Sequence, residues 1–164
     1  MRFSIFLLLA ATFACAMLSP VSAQSTIGPN GYQCIVRHPV SARRVVVVHV
    51  QEDDDFQVTA QVRKGVMTIV YGNQFQSMPA LFQRLAQHHE CGHFDLPTRN
   101  EYLANCYALR RLDEEGLLTA ANTRLIRDEQ CGVGDLTRGG SGTSWWEETR
   151  KLCSDLNLPP CPGS

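Results

Sequence analysis

The sequence has no basic stretch. Its 15 Lys and Arg are balanced by 16 Asp and Glu, the formal net charge is -1, and the longest cationic runs are the pairs Arg43-Arg44 and Arg110-Arg111. A chain without a positive stripe has no electrostatic footprint for a nucleic acid or an anionic membrane surface. It also lacks an apolar run of the roughly 20 residues that a spanning helix requires. Phe3 to Leu18 is almost unbroken but falls short. No internal repeat is visible, and no EF-hand spacing follows the acidic run Glu52 to Asp55, which therefore reads as a solvated hairpin loop and not a calcium site. What is left is an ordinary globular composition, 44% hydrophobic over 164 residues, enough for one core and one domain.

The short apolar run has another meaning. Arg2 gives a minimal positive start and Val21-Ser22-Ala23 is a small-residue cleavage site, so residues 1–23 have the form of an export signal removed after Ala23. A lipoprotein signal ending at Cys15 fits less well, because Thr12 stands where an aliphatic residue is usual. Cleavage takes Cys15 with it and reduces seven cysteines to six: Cys34, Cys91, Cys106, Cys131, Cys153 and Cys161. An even count in an exported chain points to three disulfides, whose pairing the sequence leaves open. The expectation is a single domain over 24–164, secreted or periplasmic, with no stable membrane insertion.

Four strands are expected. Tyr32 to Arg37 is short, Arg43 to Gln51 holds the β-branched run Val45 to Val48, and Phe56 to Arg63 alternates apolar and polar residues before Lys64-Gly65 turns the chain into Val66 to Tyr71. From residue 77 the period becomes helical. Ser77 can cap a helix with Pro79 in its first turn, whose stripe runs through Leu81, Leu85, Ala86, His89 and His93 until Pro97 ends it. Thr98 can cap a second helix closed by Gly116, and Thr119 a third reaching Cys131. A Gly-rich stretch over 132–143 reads as a loop and Ser144 to Leu156 as a last helix. The expected fold is α+β: a small antiparallel or mixed sheet of about four strands packed on one central helix, with two to three further helices, stapled by disulfides.

The segment that carries chemistry is His89-Glu90-Cys91-Gly92-His93. Positions i and i+4 of a helix lie one above the other, so the two imidazoles can converge on one ion about 2 Å from each nitrogen. Glu90, next to the first ligand, can then reach water on that ion in place of the ion itself. Zinc lowers the pKa of such a water to about 7, and a neighbouring carboxylate takes its proton as the oxygen attacks a carbonyl. A third ligand is needed. Arg99 occupies the place of a third histidine six residues after His93, and the one Gly-Thr pair, Gly142-Thr143, is not followed by an aspartate at the spacing that would supply one.

Asn100-Glu101-Tyr102-Leu103-Ala104-Asn105 resembles the Asn-Glu-x-x-small-Asp signature of the gluzincins, metallopeptidases that pair His-Glu-x-x-His with a downstream glutamate. With residues 89 to 93 it is similar to a compact gluzincin site of the ImmA/IrrE type. The resemblance covers roughly residues 66–112 and is confined to motifs outside these two segments. It implies that His89, His93 and Glu101 hold zinc, that Glu90 is the general base and that Asn105 braces a ligand imidazole. The family commonly has aspartate there, and an amide can accept a His N–H but carries no charge. It further implies a peptide or protein substrate, lying along an edge strand for which Met67 to Tyr71 is the candidate.

Other readings of the same residues stay open. Thr98 and Glu101 also have the spacing of a capping box, and Asp95 is a fallback ligand. His88 points about 100° away from His89 and reads as surface or core. His38 and His49 fall in strand regions. Cys91 and Cys106 could bridge the two metal-bearing helices, and an unoxidised Cys91 would be a rival nucleophile. Tyr71, Tyr102 and Tyr107 are each able to donate to an oxyanion, with nothing in the spacing to select one. The expected activity is zinc-dependent peptide hydrolysis; the alternative is an inactive exported zinc-binding domain with a structural or partner-binding role.

Overall fold

The computed structural model describes residues 24–38, 41–132 and 145–162. The expected export signal and nearly all of the Gly-rich stretch lie outside the described residues. Among those described, no helix is long and apolar enough to cross a membrane. The fold is α+β, with a two-stranded and a three-stranded sheet and five α-helices among these residues.

The valine run does not make one strand. β1 (Ile35–Arg37) and β2 (Arg44–Val46) form an antiparallel pair with Ile35 opposite Val46. At the fully buried Val47 the chain bonds back to the Cys34 carbonyl and then leaves for the second sheet as β3 (Val48–Gln51). There β4 (Val58–Arg63) and β5 (Val66–Tyr71) form the hairpin expected at Lys64-Gly65, whose φ values of 50° and 79° suit the twist of a two-residue turn. β3 joins β5 in parallel, Val48 opposite Thr68, giving the order β3-β5-β4.

Two expectations change with that order. Met67 to Tyr71 is the central strand and cannot accept an extended substrate; the strand with an open edge on the hairpin side is β4. The acidic run is not a hairpin loop either, because β3 and β4 are not neighbours. It crosses the end of β5, where Asn73 and Gln74 donate to the carbonyls of Asp54 and Phe56. Gly72 is required at this crossing, since a Cβ there would lie 2.2 Å from the Phe56 carbonyl oxygen.

The helical stripe is interrupted before it begins. Ser77 is the last residue of α1 (Asn73–Ser77), not the cap of the next helix, and α2 (Ala80–Asp95) starts directly after Pro79. The Gln83 side chain spans the break, its amide donating to the carbonyls of Phe75 and Met78 at 3.0 Å each. α3 (Glu101–Glu114) is capped by Asn100, whose Oδ1 accepts from the amides of Tyr102 and Leu103. Thr98, the expected cap, instead accepts from the Asn100 amide. Gly116, with φ 69°, closes this helix as expected. Thr119 caps α4 (Ala120–Gly132) through the Asn122 amide, and α5 (Trp145–Leu152) stops short of Leu156.

α2 lies between two cores. Cys91 and Phe94 face one built with Tyr32, Val36, Ile69, Tyr71 and Phe75. Leu85 faces another built with Leu109, Leu112, Ile126 and Trp146. This division also decides the disulfides, which are Cys34–Cys91, Cys106–Cys153 and Cys131–Cys161. A Cys91–Cys106 bridge does not form because Cys91 belongs to the first core and Cys106 to the second. Three disulfides suggest an extracellular or otherwise oxidising compartment.

Candidate metal centre

One helical turn on α2 sets His89 above His93, and the two Nε2 atoms approach to 3.1 Å. Glu101 stands in the first turn of α3, where the reversal through Pro97 brings it back over α2. Its Oε2 is 3.0 Å from His89 Nε2 and 3.5 Å from His93 Nε2. Four ligands about 2.0–2.1 Å from a tetrahedral ion are separated from one another by roughly 3.3–3.4 Å. The three observed distances bracket that spacing, and His89, His93 and Glu101 form a group that could hold a metal ion.

The far side of each ring fixes its orientation. His89 Nδ1–H donates to Asn105 Oδ1 at 2.7 Å, and His93 Nδ1–H donates to the Thr98 carbonyl at 2.9 Å. With the proton on Nδ1, each Nε2 keeps its lone pair for the shared centre. Asn105 therefore takes the bracing position expected of it. The Thr98 carbonyl was not foreseeable, because no side-chain identity encodes a backbone acceptor. Close approach of the two helices depends on Gly92: a Cβ there would stand 3.0 Å from the Tyr107 ring.

Electrostatics follow from the same packing. Without a metal, an imidazolium His89 protonated on both nitrogens can donate from Nε2 to Glu101 as well, and this bond pulls the Glu101 carboxyl below its ordinary range. Burial pulls His89 down, but Glu101, Glu90 and Asn105 together outweigh it and raise the imidazole. Burial raises Glu90, partly offset by His89, His93 and a hydrogen bond accepted from the Ala60 amide of β4. Glu101 does not serve as a capping-box residue, since Asn100 caps the helix and its own carboxylate turns to the histidines.

Glu90 and Glu101 border two adjoining cavities. The first, about 810 Å³, runs between residues 59–62 of β4 and the turn bearing Thr98 and Arg99, with His93 on its floor. The second, about 510 Å³, is more apolar and is lined by Met78, Phe82, Leu85 and Trp145 beside His89 and Asn105. The candidate ligand group thus opens onto a cleft on two sides.

The remaining candidates lie elsewhere. Asp95 accepts from the Arg37 amide and also bonds Tyr107. His88 is buried between Tyr32 and Glu115, and His38 Nδ1 accepts from the Ser41 amide. His49 packs in the first core against Tyr71. Cys91 is oxidised, which removes it as a nucleophile. Tyr71 is buried on His49, Tyr107 is bonded to Asp95 and Tyr102 meets Trp145 edge-on, and none of the three lines either cavity. The chain matches no protein-family model, and neither a curated protein nor a solved structure matches it.

Proposed function

We propose that this chain is an exported zinc-dependent peptidase of gluzincin type, with His89, His93 and Glu101 as ligands and Glu90 as general base. The observation that carries the proposal is the convergence of three donor atoms within 3.5 Å of one another at a cleft that also holds Glu90. Two imidazoles and one carboxylate suit zinc with a position left open, and zinc when bound supplies a Lewis acid that acidifies water and polarises a carbonyl.

The protein's own groups do the rest. Asn105 and Thr98 hold the ligand rings in one tautomer and one orientation. Glu90, steadied by the Ala60 amide and raised by burial, takes a proton from water on its carboxylate and passes it to the leaving amine. Because Ala60 turns its amide away from β5, alternation along the strand turns those of Val58 and Val62 the same way. Their open edge can pair with an extended peptide lying in the cleft. Arg99 puts a positive charge on the facing wall.

A second reading rests on Asn105, an uncharged brace: a zinc-binding domain without hydrolytic activity. Glu90→Gln separates the two. The peptidase reading expects one equivalent of zinc in both wild type and variant, with cleavage of an unfolded protein substrate falling by about 10²-fold or more in the variant. Undiminished cleavage by the variant contradicts it. A zinc-loaded wild type inert toward such substrates favours the second reading.

A further inference from the structure

A separate cavity of about 270 Å³, sharing no lining residue with the cleft, lies where the N-terminal hairpin meets α2 and α3. Its lining includes three arginines, Arg44 of β2, Arg84 of α2 and Arg111 of α3, against one acidic residue, Glu115. That carboxylate is already committed, one oxygen 3.1 Å from Arg84 and the other 3.1 Å from His88. Arg111 does pair with Glu114, but both side chains are about half exposed, at 44% and 59%. Such an i,i+3 surface pair is weak and yields readily to a better partner.

We propose that this pocket binds a doubly charged tetrahedral oxyanion of the phosphate or sulfate class, held by Arg44 and Arg111 with Arg84 behind them. Charge makes the case for a dianion. Three arginines less Glu115 give the lining itself a surplus of two positive charges, one on Arg44 and one on Arg111, which exchanges its surface pair with Glu114 for the anion, and a single carboxylate would match only one. Geometry agrees, because a planar guanidinium fork meets two oxygens of such an anion at once. The cavity has room for a phosphate group, free or as the end of a small ester. An anion here would join residues 44, 84 and 111, on three elements, and so would stabilise the folded chain by mass action.

The test is thermal unfolding of the purified mature protein in increasing inorganic phosphate, with sodium chloride at matched ionic strength. Phosphate also stabilises proteins generally through exclusion from their surface, an effect that does not saturate at low concentration. The expected result is a rise in Tm of about 4 °C or more that begins at millimolar phosphate and grows as RT ln(1 + [L]/Kd). Arg44→Ala and Arg111→Ala should each weaken apparent binding at least tenfold, while Arg110→Ala, whose side chain pairs with Asp155, should leave it unchanged. Should an alanine variant fail to fold, Arg111→Lys, which keeps the charge and loses the fork, should still weaken binding about threefold or more. An arm with phenyl phosphate distinguishes the sources: stabilisation equal to that by phosphate means that an ester enters, and a lesser effect means that the free ion is preferred. Equal responses to phosphate and chloride, or an unaltered phosphate response in both arginine variants, would overturn the proposal.

Discussion

At the scale of single residues, the site depends on where protons sit. His89 and His93 are useful ligands only while Nδ1 keeps its proton, and that is decided by one amide oxygen and one backbone carbonyl. Asn105→Ala should therefore lower metal affinity by about 10- to 100-fold, whereas Asn105→Asp should preserve or raise it; competition with a fluorescent chelator measures both, and an unaffected alanine variant would show that the brace is idle. A second titratable group acts on stability. His49 is only 3% exposed, its Nδ1 meets the Tyr71 hydroxyl, its Nε2 has no partner, and burial pushes it down to about 4. Between its ordinary value near 6.5 and that lower one, the unfolded chain binds a proton that the folded chain refuses, so stability is full above pH 6.5 and falls as the pH drops. The loss is on the order of 3 kcal/mol by pH 4. Urea unfolding in excess chelator, which removes any effect of metal, should show this decline, and His49→Gln should flatten it. Most of the metal group is readable from the spacing of His89, Glu90 and His93, because a helix converts i,i+4 into one face. The partners of the rings depend on α3 and its preceding turn, which local spacing does not encode.

Elements bring these residues together, and their boundaries depend on contacts that local sequence does not encode. Periodicity identifies α2 and α3 but not their starts: α2 begins after Pro79 with no side-chain cap at all, and Asn100 in place of Thr98 caps α3. β-propensity is continuous across the valine run and implies one strand; the break at Val47 comes from burial and from its bond to Cys34. Parallel pairing of β3 with β5 is a long-range choice, and it decides that β4 is the open edge. The helix pair itself depends on Gly92. Gly92→Val would push its side chain into Tyr107 and move α3 off α2, displacing Glu101 from the histidines. Metal affinity should drop at least tenfold while far-UV circular dichroism stays close to wild type. Unchanged affinity would mean that Glu101 is positioned by something other than this contact.

Over the whole molecule, the six cysteines outside residues 1–23 imply three bridges but not their pairing, which follows from the division into two cores on either side of α2. The bridges close sequence separations of 57, 47 and 30 residues. Each is worth about 2–4 kcal/mol by the chain-entropy argument, together comparable with the whole stability of a domain this size. Reduction should therefore leave the chain largely unfolded at 37 °C, a loss that near-UV circular dichroism would register; a reduced chain retaining its native spectrum would assign stability to the cores alone. The α+β class and the placement of a helix pair beside a sheet were legible from the change of period at residue 77, whereas the division of the strands into two sheets was not. Everything proposed about catalysis requires that His89, His93 and Glu101 hold an ion. The most direct measurement is the metal content of protein purified without chelators, for wild type and for His93→Ala. About one equivalent of zinc in the former and less than about a tenth in the latter is the expected result; less than about a tenth of an equivalent of any divalent metal in the wild type would contradict it.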